Sequence, residues 1–217
     1  MFALCDESDV ELVIPEPSQV LSVLLRLLHE PLARQPAQTG GAIPLPLLPA
    51  LFRLVDKYAL KAELADTLAT HLAAHAPVQP LSVYSLATQL ELEKVASDAT
   101  AHLLKKPLHK YTSDEVALIP SVKAYHALVA LHAHRVEKLK ELVLAEELFP
   151  KDYGLCGTHG DATRDVWARK ANYVWGQIEP GTDVAEEMSP VLTADVIRDC
   201  KLCHMGCIRS IEMIRVR

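Results

Sequence analysis

Residues 42–153 contain no glycine, and proline is the residue that punctuates this interval, at positions 44, 46, 49, 77, 80, 107, 120 and 150. Proline fits the first turn of a helix and breaks a helix elsewhere. The interval therefore reads as a string of helices with proline-marked boundaries. Half of the 217 residues are hydrophobic and only 5% are aromatic, so the core must be aliphatic. Leu and Ala lose little entropy in helices, and such a composition favours helix packed on helix.

Local patterns place the elements. Asp9–Ile14 is rich in β-branched residues and ends at Pro15-Glu-Pro17, which predicts a short strand. Ser18 is suited to cap a helix of about ten residues with Val20, Leu21, Leu24, Leu27 and Leu28 on its apolar side. A loop over 31–46 leads to helices near 46–58 and 60–74, then 81–91 and 92–105. Thr112 or Ser113 caps a short helical turn. Pro120 opens a long helix reaching about Glu147, with Tyr125, Leu128, Val129, Leu131, Val136, Leu139 and Val143 on its apolar side. From Pro150 glycines return, together with both tryptophans and four of the five cysteines, so the spacing predicts a small, loop-rich C-terminal segment.

Several function classes lose support. With 22 basic and 28 acidic residues the net charge is −6 and no basic cluster stands out, which argues against a nucleic-acid ligand. No run approaches the roughly 20 apolar residues of a membrane helix. The start meets Asp6 and Glu7 before any long apolar stretch, unlike a secretory signal. An odd cysteine count, crowded toward one end, is not a disulfide framework, and an intracellular protein of the cytoplasm or nucleus is expected. Neither a nucleophile elbow nor a phosphate-cradling glycine loop is present, no small-molecule substrate is evident, and no enzymatic activity is expected.

The order of Val10–Ile14, Glu16-Pro-Ser18, Val20-Leu21, Leu24-Leu25 and Leu54–Leu60 resembles the second half of a BTB/POZ domain. Tyr84-x-x-Ala87 through Glu93-x-x-Ala96, with Ala99 and Leu103-Leu104, resembles the helical, BACK-like extension that follows it. With Leu131-His132, Arg135, Cys156-x-x-His159, Trp167 and the late Cys-x-x-Cys, the chain is similar to fungal, basidiomycete BTB-like proteins. The resemblance implies a mainly α protein with one short N-terminal β-strand, that is, a partial BTB/POZ α+β core truncated at its N-terminus. It divides the chain into 1–76 (partial BTB/POZ-like domain), 77–149 (helical extension) and 150–217 (the Cys/His/Trp-containing segment). It also implies a protein–protein interaction module, an adaptor or scaffold whose partner is a cullin-type ubiquitin ligase or a second copy. Exposed apolar residues are then expected on the helices at 46–74.

Cys156-Gly-Thr-His159 and Cys200-Lys-Leu-Cys203 form two short-spaced pairs that can grip one tetrahedral structural zinc. Gly154 and Gly157 allow the first loop to turn tightly, and His204 and Cys207 are spare ligands. The competing reading is reduced, partly buried thiols beside an ordinary loop histidine. A third is a cysteine-dependent enzyme using Cys156 and His159. His71 and His75 stand one turn apart without the glutamate of a His-Glu-x-x-His site, and pair better with a helix C-terminus. His132 reads as a packing residue, Arg135 as a bridge to a neighbouring acid, and Glu137–Glu141 as a solvated face.

Overall fold

The computed structural model describes residues 14–29, 41–145 and 154–216, and the chain divides into two units, Met1–Val78 and Gln79–Arg217. Among the described residues every regular element is helical.

In the first unit, α1 spans Ser18–His29 and buries Val20, Leu24 and Leu27 along one stripe. A 3₁₀ turn at Leu45–Leu47 leads into α2, Leu48–Lys57, with Pro49 in its first turn. α3 spans Ala62–Ala73, and Leu51 and Leu54 of α2 share the core with Leu64, Leu68 and Leu72 of α3. The two histidines one turn apart clamp a single backbone unit. His71 Nδ1 accepts from the Ile43 N–H at 3.2 Å, and His75 Nε2 donates to the Ile43 carbonyl at 2.7 Å. They satisfy an extended segment's backbone groups as a neighbouring strand would. Glu16, just ahead of α1, accepts from Lys57 Nζ and Tyr58 Oη at the end of α2, and the Lys57 bond holds its carboxyl below the usual range.

In the second unit, α4 (Pro80–Gln89) and α5 (Glu93–Leu103) form an antiparallel pair that buries Val83, Ala87, Ala99 and Leu103. Tyr84 Oη donates to the Ala124 carbonyl at 3.0 Å, and Ser85 Oγ donates to the Leu118 carbonyl. α6, Ser113–Ala117, opens on a capping box in which Thr112 and Glu115 satisfy each other's backbone N–H groups. α7 spans Val122–Val143, capped by Ser121 Oγ accepting from Ala124 N at 3.1 Å. α8 (Gly160–Trp175), α9 (Val184–Met188), a 3₁₀ turn at Ser189–Thr193, α10 (Asp195–Arg198) and α11 (Lys201–Val216) complete it. Leu139 and Val143 of α7, Trp167 and Val174 of α8, Met188 of α9 and Ile211 of α11 share one core. Each large side chain so buried stabilises the fold by about 1.5–3 kcal/mol relative to exposure. No helix among the described residues is long and apolar enough to cross a membrane.

Several expectations are corrected. The α+β element of the fold class is not found: Ile14 is irregular coil and the rest of the expected strand lies outside the described residues. A single strand has no ladder to join, so helical packing decides the class, which is mainly α. The C-terminal segment is not loop-rich: α8 to α11 take up most of residues 160–216, with Gly160 and Gly176 at helix ends and Gly206 within a helix, while Gly154, Gly157 and Gly181 lie in turns. The apolar side of α7 splits, with Leu128, Leu139 and Val143 buried while Tyr125 and Val129 stay exposed. Arg135 makes no ion pair among the described residues. Of the large apolar residues at 46–74 only Tyr58 is exposed, and Tyr125, Val129, Leu144 and Trp175 of the second unit are exposed instead.

Two helices in the glycine-free interval end on left-handed residues, Ala59 (φ 46°) and Glu91 (φ 57°). Leu60 N then bonds the Val55 carbonyl and Leu92 N the Ala87 carbonyl, at 2.9 and 2.8 Å. A side chain in this conformation costs about 1–2 kcal/mol, which glycine avoids. Ala59→Gly and Glu91→Gly are each expected to raise stability by up to about 1 kcal/mol after glycine's entropic cost, read by urea denaturation.

Burial also holds the His132 imidazole below the ordinary histidine range by disfavouring its charged form. The unfolded chain then takes up this proton at higher pH than the folded one. The contribution is complete above about pH 6.5 and is lost as pH falls through that value toward the lower folded one. Between pH 8 and 5.5, the Tm of His132→Leu is expected to fall less than that of the natural chain, by thermal unfolding.

Candidate metal centre

The site is built where the loop before α8 meets the start of α11. Cys156 begins a tight turn whose carbonyl accepts from Gly160 N at 2.9 Å, and His159 is the N-cap of α8. The turn aims backbone donors at the sulfur: His159 N reaches Cys156 Sγ at 3.1 Å, and His159 Nδ1 lies 3.3 Å from it. On the other arm, Cys200 immediately precedes α11 and Cys203 lies in its first turn, fully buried. His204 N bonds the Cys200 carbonyl at 2.9 Å, which fixes the helix entry.

The two arms converge. Cys156 Sγ is 3.6 Å from Cys200 Sγ and 3.7 Å from Cys203 Sγ, and the three sulfurs lie within 4.8 Å of one another. A disulfide requires about 2.05 Å, so these are separate thiols. A zinc–sulfur bond near 2.3 Å implies a tetrahedron edge of about 3.8 Å. The trio therefore has the dimensions of one face of a zinc site. His159 touches this face through Cys156 and is not one of the mutually close set; turning its ring over the trio is what a fourth ligand requires.

A glycine pair seats the loop. Gly154 takes φ +85°, and a Cβ on Gly206 of α11 would stand 2.5 Å from the Gly154 carbonyl oxygen. The loop backbone thus rests directly on the helix, one turn beyond Cys203. An isolated glycine within an apolar helical pattern carries that signal, and Gly206 is the residue that motif reading passes over.

Charge is unevenly held. The His159 N–H, with help from the Cys200 thiol, brings the Cys156 thiol down to about 6 against the opposing effect of burial. For Cys200 the Cys203 N–H acts downward, but burial and the neighbouring thiols outweigh it and the net shift is upward. Cys207 is pushed up to about 12 by burial and belongs to the core, outside the trio. His204 also stays outside it, with a buried Nδ1 that has no hydrogen-bond partner among the described residues. The residues present fit a thiophilic divalent ion: three thiols at metal-site spacing, one already favouring its anion, and an imidazole beside them.

No protein-family model, curated protein or solved structure matches the chain.

Gly206→Ala forces loop and helix apart. It is expected to lower stability by about 1–2 kcal/mol, the overpacking cost less the helix-propensity gain. Faster thiol labelling of Cys203, buried in the natural chain, accompanies that loss.

Proposed function

We propose that the chain is a non-catalytic protein-interaction module whose C-terminal unit is closed by a structural zinc ion. Cys156, Cys200 and Cys203 hold the ion, and His159 supplies the fourth ligand. One observation carries this reading: three sulfurs from segments 44 residues apart meet at 3.6 and 3.7 Å. Bound zinc replaces the thiol protons and cross-links the loop before α8 to the N-terminus of α11. Because the ligands converge only in the folded chain, binding free energy becomes folding free energy. Four protein ligands leave no open position for substrate, which separates a structural site from a catalytic one.

The interaction half of the reading is supported by Tyr125, Val129, Leu144 and Trp175, large apolar side chains left exposed on one unit. It agrees with an interaction role, though on the second unit and not on the helices at 46–74 where the BTB-like order of segments puts the surface.

A second reading draws on the depressed Cys156 thiol beside His159, a pair that matches an activated cysteine nucleophile. The two readings part on metal. Purified without chelator, the chain is expected to hold about one zinc per molecule, and Cys203→Ser less than about 0.1, by elemental analysis. Less than about half an equivalent in the natural chain contradicts the structural ion. Rapid alkylation of Cys156 in the metal-loaded protein favours the nucleophile instead.

A further inference from the structure

A groove of about 920 Å³ runs along α7 in the second unit, walled by the C-terminal end of α8 and by the turn at Leu108–Lys110. Tyr125, Val129, Val136 and Leu144 line it from the long helix or its end, and Trp175 and Ile178 line the opposite wall. Tyr125, Val129, Leu144 and Trp175 are each about 40–50% exposed, so the surface is open as well as apolar. From Tyr125 to Leu144 the groove follows 19 residue steps, about 28 Å at 1.5 Å per residue. That is too long for a compact small molecule and matches a helix of about five turns.

Two polar features distinguish the groove. His132 lines it, is only 6% exposed, and neither of its ring nitrogens has a hydrogen-bond partner among the described residues. Such a group is costly to leave unsatisfied, and with both nitrogens closed to solvent only a rearrangement of this wall brings them a partner. Charge supplies the other feature. The lining carries Glu137, Glu141 and Glu179 against Lys140, a net negative balance. Lys140 Nζ sits 4.4 Å over the Trp175 ring, and Glu137 has no ion pair among the described residues. Glu141 and Glu179 pair with Lys138 and Lys110, which stand outside the lining. Those pairs are exposed, and exposed pairs contribute only about 0–1 kcal/mol, so an incoming cation can replace either lysine.

We infer that this groove receives an amphipathic helical segment of a partner protein. One face of that segment is apolar, and its flank carries Lys or Arg against Glu137 and Glu141. The mode is helix-in-groove, with apolar anchors at i, i+3, i+4 and i+7 supplying affinity and flanking charge supplying orientation. The inference rests on the reading of the chain as an interaction module and is independent of zinc.

The test uses the full natural chain and three synthetic 18-residue peptides. The first has leucines at helical spacing and lysines on the flank. The second replaces the lysines with glutamates, and the third scatters the leucines around the helix. Backbone and indole amide resonances are followed by NMR, with the buried Trp167 indole as internal control. The lysine peptide is expected to shift the Trp175 indole and the Val129 and His132 amides, and to bind at least about tenfold more tightly than the glutamate peptide. Val129→Glu changes an exposed side chain and is expected to abolish those shifts with the fold intact. Glu137→Lys is expected to narrow or invert the preference between the two charged peptides. Equal binding of all three peptides, or of the two charged peptides, overturns the inference. Shifts confined to another surface overturn this groove while leaving the module reading in place, and no shift anywhere overturns both.

Discussion

Three sulfur atoms from two separated segments meet in the C-terminal half of this chain. Cys156 is delivered by a loop, Cys200 by the residue before α11, and Cys203 by that helix's first turn. Their approach to 3.6 and 3.7 Å depends on two backbones touching, since the Gly154 carbonyl leaves no room for a side chain at Gly206. Beyond that contact the same helix carries Cys207, Ile211 and Ile214 into the core shared with α7, α8 and α9. The thiol cluster and the aliphatic core therefore lie toward opposite ends of α11.

Thiols packed this closely are not a neutral arrangement. Backbone N–H groups bring the Cys156 thiol down, while at Cys200 burial and the neighbouring thiols outweigh the Cys203 N–H and push that thiol up. A divalent ion removes the conflict by stabilising all three anions at once. The buried Cys207, held near 12 by its apolar surroundings, shows what a thiol on this helix does when no such demand is made of it.

Much of the helical order was legible in the chain. Pro49 and Pro80 stand in the first turns of α2 and α4, Thr112 caps α6, and the Cys-x-x-His and Cys-x-x-Cys spacings bring out the residues whose sulfurs meet, whereas Pro120 precedes the Ser121 cap of α7 instead of opening the helix. What failed did so for physical reasons. Periodicity gives an apolar face without saying how much of it a neighbour covers, so Tyr125 and Val129 were grouped with Leu128 although only Leu128 is buried. Glycine marks a turn at Gly154, Gly157 and Gly181, whereas Gly160 and Gly176 bound α8 and Gly206 permits a helix–loop contact. His71 and His75 gave no hint that both would bond Ile43, because that pairing spans about thirty residues and exists only after folding. The expected strand lies, apart from Ile14, outside the described residues, and among those described there is no strand for it to pair with.

The roles of α7 follow from the same division. Its Leu139 and Val143 are core, its Tyr125 and Val129 are surface, and His132 sits at the seam between them, buried and without a partner. A helix that stabilises with one side and presents the other is how a rigid module offers a binding face. The closure that keeps the surrounding unit rigid is the claim on which this account stands. X-ray absorption at the zinc edge of the purified, unchelated chain tests it most directly. The account predicts a shell of three sulfurs at about 2.3 Å and one nitrogen at about 2.0 Å. A shell with fewer than three sulfurs, or one dominated by oxygen, contradicts it.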